Sequence, residues 1–254
     1  MAQYPVQVRI DRPPESSRLW AVLTILWIKL IALIPHLVCL LVLEIAFWIV
    51  FIVAQVAVLF TGRFPNGIHG FMTGVMRWQT RVSGFMFNLS DRYPPFALRS
   101  VPEYEVDLDI EYPEKSNRLL AGVTVAVMVL VVVLAALLAG DGDSRSNNGV
   151  WLNQVGNFRW ILAIPHVVVL SFIGIAAMFV WFIVQWVILF AASFPPGLHR
   201  FVGGYVRWST RVNAFVYGLT DKYPPFSLEP DAGASAAVPV AVPAAEPGPP
   251  EAGA

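Results

Sequence analysis

The chain has 254 residues, of which 57% are hydrophobic and 13% charged, and its formal net charge is zero. Soluble domains carry about 25% charged residues, so this composition predicts a membrane protein and excludes a strongly basic nucleic-acid binder. The single cysteine, Cys39, excludes a disulfide framework and a thiolate zinc cluster.

Two short segments near the starts of the two halves have the pattern of strands. Residues 4–11 and 104–112 alternate apolar and polar side chains, which is the period of a half-buried strand. In the second segment the acids, Asp107 and Asp109 among them, share one face. We expect the two strands to pair in a small cytoplasmic β layer.

Apolar segments follow each strand. Residues 119–139 form an uncharged run of about 21 residues, long enough for an extra transmembrane helix. Residues 36–60 and 166–192 are further spans that Pro35 and Pro165 are predicted to begin, both running in the same direction. Residues 19–34, interrupted by Lys29, are interpreted as a short span, with an interfacial helix as the alternative, and 150–164 suit the interface. The sequence thus predicts three to four transmembrane helices.

An amphipathic helix of about 22 residues follows each of the two spans that open on Pro-His. Its arginines fall on one face and its aromatic side chains on another, which is typical of a helix at a membrane surface. Arg77, Arg81, Arg207 and Arg211 are therefore candidates for binding lipid headgroups, including anionic ones. The alternative is internal pairing of these arginines with Asp91, Asp221 or the acidic strand.

The strongest feature of the sequence is a duplication. Residues 35–96 align without a gap on residues 165–226, and 28 of the 62 aligned positions are identical. We divide the chain into a first membrane repeat (1–99), a second membrane repeat with the extra helix (100–228) and a Pro/Ala-rich tail (229–254) that we expect to be disordered. Of the 17 Lys and Arg residues, 11 follow the Pro-His spans, which predicts a multi-pass protein of the cell membrane with a cytoplasmic C-terminus.

The four histidines form two repeat-related pairs, His36 with His166 and His69 with His199. Such pairs are candidate haem or metal ligands, although a histidine in the first turn of a helix more commonly makes one hydrogen bond. We therefore predict no cofactor. Glu44 is the only acid within a predicted span, where a carboxylate is a functional candidate.

The motifs together resemble a known family. Ile-Pro-His, Phe-Pro-x-Gly-x-His, Arg-Trp-x-x-Arg-Val and Asp-(Arg/Lys)-Tyr-Pro-Pro-Phe occur in both copies and are similar to those of the bacterial membrane family catalogued as domain of unknown function 4389. The resemblance covers residues 5–99 and 103–229. It implies a two-copy integral protein of the bacterial inner membrane and brings no activity, substrate or catalytic residue.

No catalytic motif such as Gly-x-Ser-x-Gly, His-Glu-x-x-His or a phosphate loop occurs in the sequence. We therefore predict a non-enzymatic, lipid-contacting scaffold or an accessory subunit of an unidentified protein partner. Two alternatives stay open. One is a transporter or channel for a small solute or ion, since internal repeats are common in carriers, and the other is a haem- or metal-binding membrane protein.

Overall fold

The structure is a computed structural model that describes residues 4–138 and 158–230. In chain order these residues form strand β1 (Val6–Ile10), helices α1 (Arg18–Ile25), α2 (Ile28–Thr61) and α3 (Asn66–Met86), strand β2 (Val106–Ile110), and helices α4 (Arg118–Leu138), α5 (Phe158–Ala191) and α6 (Pro196–Val216). The predicted mostly helical fold with a small two-stranded sheet is confirmed. The predicted tail lies outside the described residues from 231 onward.

The sheet joins the two halves of the chain. β1 and β2 pair antiparallel, with Val8 opposite Leu108, and one face of the sheet is buried because apolar residues alternate along both strands. The other face carries Asp109, whose side chain is 84% exposed. The sheet therefore has one side in the core and one side toward water.

Each strand lies along one amphipathic helix. β2 covers α3, since a Cβ at Gly84 would come within 2.7 Å of Val106 and Arg77 Nε donates to the Leu108 carbonyl at 2.6 Å. The strand thus runs antiparallel to the helix. On the same face of the sheet, β1 covers α6.

The β1 contacts repeat this arrangement in the second copy. Arg207 Nε donates to the Val8 carbonyl at 3.2 Å, and Gly203 lies against Ile10, so β1 also runs antiparallel to its helix. Because the two strands are antiparallel to each other, α3 and α6 run in opposite directions.

The long helices form a third layer, on the side of α3 and α6 that faces away from the sheet. Lys29 Nζ donates to Asn88 Oδ1 at 3.1 Å and Trp78 Nε1 donates to His36 Nδ1 at 3.0 Å, so α2 runs antiparallel to α3. α5 repeats this arrangement on α6. Along the strand axis α2 and α5 therefore run in opposite directions, whereas the predicted common direction across a membrane stays a prediction.

The N-terminal segments of the two repeats are exchanged. The Ser16 amide donates to the Ala192 carbonyl at 3.0 Å, and the Ser116 amide donates to the Gly62 carbonyl at 3.0 Å. Each segment that enters α1 or α4 is therefore fastened to the end of the long helix of the other repeat. The two repeats, separate in sequence, are interlocked in space.

The long helices begin earlier than predicted. Pro35 and Pro165 lie inside α2 and α5, so the prediction that they begin helices is wrong. A proline opens the preceding helical turn, and here tyrosine hydroxyls bind in that turn. Tyr93 Oη donates to the Ala32 carbonyl at 2.7 Å, and the tyrosine of the second copy does the same at Leu162.

Residues 19–34 do not form one span. α1 ends at Ile25, Trp27 adopts a φ of 63°, and the following residues belong to α2. With 8 residues, α1 is about 12 Å long and too short to cross a bilayer. In the described residues two helices, α2 and α5, are long and apolar enough to cross a membrane. α4 follows the predicted 119–139 segment to residue 138, and residues 139–157 lie outside the described part.

Candidate functional site

Arg81 fastens the chain that follows the first Tyr-Pro-Pro-Phe motif. Its side chain is fully buried and donates to the carbonyls of Ala97 at 3.0 Å and Arg99 at 2.8 Å. The same guanidinium binds the Asp107 carboxylate of β2 at 2.7 Å. Arg81 therefore holds three segments together and turns away from the outer surface.

The other three candidate arginines behave in the same way. Arg211 donates to the carbonyls of Ser227 at 3.2 Å and Glu229 at 3.1 Å. Arg77 and Arg207 donate to the strands β2 and β1, and Arg77 also lies 3.5 Å from Asp107. Arg77 and Arg81 thus pair with the acidic strand, as in the alternative of internal pairing. Arg207 and Arg211 donate to backbone carbonyls, and headgroup binding by the four arginines stays a prediction.

The first histidine pair belongs to two aromatic clusters with the same geometry. His36 stacks on Phe96 with 3.9 Å between ring centroids, and His166 stacks on Phe226 at 3.8 Å. In both clusters a tryptophan Nε1 donates to the histidine Nδ1 at 3.0 Å. Because an indole N–H only donates, Nδ1 is the acceptor and the ring proton lies on Nε2. Neither nitrogen then offers a lone pair to a metal.

The second histidine pair lies at the starts of α3 and α6. His69 contacts Phe64 and His199 contacts Phe194, both edge to face. Burial lowers the pKa of His69, with the charge of Asp109 acting against it, and burial lowers the pKa of His199 to about 4. Both rings are therefore neutral at pH 7. Among residues 4–138 and 158–230 no group of three or more His, Cys, Asp or Glu could hold a metal ion.

The Asp-x-Tyr-Pro-Pro-Phe motifs serve the fold as well. Asp91 accepts a hydrogen bond from the Ser17 amide at 2.8 Å, and Asp221 accepts one from the Asn117 amide at 2.7 Å. These amides precede α1 and α4, where helical N–H groups lack partners. With the tyrosine on the proline turn and the phenylalanine on the histidine, the Asp, Tyr and Phe side chains of the motif have defined contacts in both copies.

A buried cation near the start of each long helix was missed as a site. Lys29 is 1% exposed and lies 4.3 Å from the ring of Phe85. Its equivalent, Arg159, is 1% exposed and bonds Asp221 at 2.5 Å. Both stand six residues before a Pro-His pair, and this shared spacing in the two copies is the signal that could have identified them.

One difference between the copies lies at a cleft between α2, α3 and α6. It has a volume of about 620 Å³, and among the described residues that line it Glu44 is the only charged one. The Glu44 carboxylate accepts from Gln79 Nε2 at 2.8 Å. At the equivalent place in α5, Gly174 faces Tyr205, whose hydroxyl would lie 3.1 Å from an added Cβ. Glu44 therefore belongs to one copy only, in a cleft that also contains Leu37 and Leu41.

Comparison with known proteins agrees with the duplication. The family model described as Domain of unknown function (DUF4389) matches residues 24–97 and 153–227, one match in each repeat. These two matches together cover more than half of the chain. Searches of curated proteins and of solved structures found no match.

Proposed function

The chain belongs to the DUF4389 family, and we propose that it is a non-enzymatic membrane protein that acts as a lipid-contacting scaffold. The outer faces of α2 and α5 carry this proposal. In the most apolar window of each helix only 22% of the residues are buried within the protein. The core helix of a soluble protein is mostly buried, so these exposed apolar faces favour contact with lipid.

The interior supports a rigid scaffold. The candidate arginines and the first histidine pair, which would otherwise suggest chemistry, are engaged in internal contacts that tie the sheet, the amphipathic helices and the long helices together. Breaking a buried ion pair from one side costs about 3–5 kcal/mol, so the pair of Arg81 with Asp107 resists changes of this geometry. A role as accessory subunit of a protein partner extends the proposal, and the multi-pass path with a cytoplasmic C-terminus stays a prediction from the sequence.

Cys39 provides the test of lipid contact, because it is exposed on α2 and the sequence has no other cysteine. In native membranes we expect a charged maleimide to leave Cys39 unmodified and to modify it after denaturation in SDS. The matched control is Cys39→Ser with Glu111→Cys, which places the thiol at an exposed position just after β2 and should react in both conditions. Rapid reaction of Cys39 in membranes, or a protein that stays in solution without detergent, would refute the proposal.

The cleft favours a second candidate function, binding or transfer of a small cation or cationic solute. A single carboxylate in an otherwise uncharged lining attracts positive charge. Flux into proteoliposomes of wild-type protein, lost in Glu44→Gln, would support this function. Equal flux in protein-free vesicles would exclude this second function.

The haem alternative has a direct test. A Soret band in the absorbance spectrum of the purified protein, lost in His36→Ala, would support it. The Nδ1 bonds to the two tryptophans argue against such ligation.

A further inference from the structure

The long helix α2 and the strand β2 lie on opposite sides of α3 and at the same level along it. Gln79 of α3 binds Glu44, near the middle of α2, at 2.8 Å. Arg77, two residues earlier, lies 3.5 Å from Asp109 on β2. A short path through one turn of α3 therefore connects the middle of α2 with the outer face of the sheet.

Both ends of α2 also stay close to this layer. Lys29, at its start, bonds Asn88 just beyond the end of α3. At its other end only residues 62–65 separate α2 from the first residue of α3. α2 thus lies along the body for its whole length and does not project from it.

This geometry conflicts with a membrane-crossing α2. If α2 stood along the membrane normal, its middle would lie in the hydrocarbon core, and the same level would contain Asp109, whose side chain is 84% exposed. An exposed carboxylate at that depth is strongly unfavourable. In the second repeat Gly174, near the middle of α5, lies against Tyr205 of α6, and Arg207, two residues later, donates to the Val8 carbonyl of β1. The middle of α5 is therefore also at the level of the sheet.

We infer that α2 and α5 lie in the plane of the membrane, embedded in one leaflet, with the sheet in water. This inference rests on the proposed lipid contact and specifies its surface, and it replaces the predicted membrane crossing by these two helices. An embedded helix is about 10 Å thick, which agrees with the insertion depth of interfacial helices. This thickness is less than half of a hydrocarbon core about 30 Å thick, so the helix fits within one leaflet. The three layers of the fold then follow the polarity gradient from water to lipid.

The exposed side chains on both long helices fit this placement. They occur from one end of each helix to the other, as a flat embedded face requires. The six that define the face are Ile31, Ile45, Phe60, Ile161, Ile175 and Phe190, each more than half exposed. The last three are the repeat equivalents of the first three, 130 positions later, so the same measurement can be made twice in one molecule.

A depth profile tests the inference. Nitroxide labels on Ile31→Cys, Ile45→Cys and Phe60→Cys, each in Cys39→Ser protein in lipid vesicles, report depth through their accessibility to oxygen and to a water-soluble nickel chelate. We expect the three depths to agree within about 5 Å, about half a helix diameter. The equivalent labels at Ile161, Ile175 and Phe190 should repeat this result.

The opposing outcomes are distinct. A middle label about 15 Å deeper than both end labels, half of the hydrocarbon thickness, would overturn the in-plane placement and leave lipid contact intact. Labels fully open to the nickel chelate would refute lipid contact itself. Labels that neither oxygen nor the nickel chelate reaches, and whose spectra are broadened by labels on a neighbouring molecule, would show that a second copy covers the face. This result would also overturn the inference.

Discussion

Replacing Arg81 by methionine separates the two interpretations of the arginines. The substitution keeps most of the volume and removes the charge and every donor. Two carbonyls then lose their partner, and the Asp107 carboxylate, 14% exposed, loses its closest cation. If Arg81 fastens the fold, we expect Arg81→Met to lower the stability and to leave lipid binding per folded molecule unchanged.

The size of this effect follows from the contacts. Hydrogen bonds to charged groups contribute about 1.5–3 kcal/mol each, and breaking a buried ion pair from one side costs about 3–5 kcal/mol. Because these contributions overlap in one guanidinium group, we expect a total loss of about 3–5 kcal/mol. For a protein of this size that corresponds to a fall in Tm of about 6–20 °C.

Tryptophan fluorescence during thermal unfolding in detergent measures this loss, since the chain has nine tryptophans. The control is Arg99→Met, the same change at an exposed arginine of the segment that Arg81 holds, and it should shift the Tm by less than about 2 °C. An unchanged Tm for Arg81→Met together with weaker binding to anionic vesicles would refute the internal role and restore the headgroup hypothesis.

Three further predictions address other contacts of the fold. Gly84→Ala should destabilise the protein, because its Cβ would meet the sheet at 2.7 Å, whereas Gly70→Ala, with nothing within 4 Å, should stabilise it by up to about 1 kcal/mol; equal Tm values for the two variants would contradict the close packing of sheet and helix. Trp78→Phe and Trp208→Phe should each lower the stability by about 1–2 kcal/mol, because a buried histidine Nδ1 loses its donor, and a denaturant titration that finds only one of them destabilising would contradict the equivalence of the two clusters. The pKa of His199 in the folded protein is about 4, below its unfolded value near 6.5, so the stability from its neutral ring is complete above pH 6.5 and is lost as the pH falls toward 4; the fall in Tm over this interval should be smaller in His199→Gln.

The sequence predicted those parts of the fold that depend on local pattern. Alternation identified both strands, and 3.6-residue periodicity identified α3 and α6 with their arginine faces. Periodicity shows that a helix has a polar face, but it does not show what covers that face. Here the sheet covers it, and this long-range contact between Arg77 and β2 leaves no trace in local spacing.

The predicted starts of the long helices are wrong for a related reason. Proline is favourable in a first helical turn, so the sequence predicts a helix that begins at Pro35. The helix continues through it because Tyr93, 58 positions later in the sequence, binds the opened turn at Ala32. Such compensation depends on tertiary structure, so local propensity could not reveal it.

The two copies distinguish structural residues from candidates for function. A side chain that fastens the fold is needed in both repeats, as with the histidine stacked on phenylalanine and the arginine that holds the chain after Tyr-Pro-Pro-Phe. A residue that binds a ligand need not occur in both repeats. Glu44 and Gly174 differ at one equivalent position, and the first lines a cleft while the second makes room for Tyr205. Functional experiments should therefore begin at Glu44, because its role is not explained by the symmetry that accounts for the arginines and the His–Trp pairs.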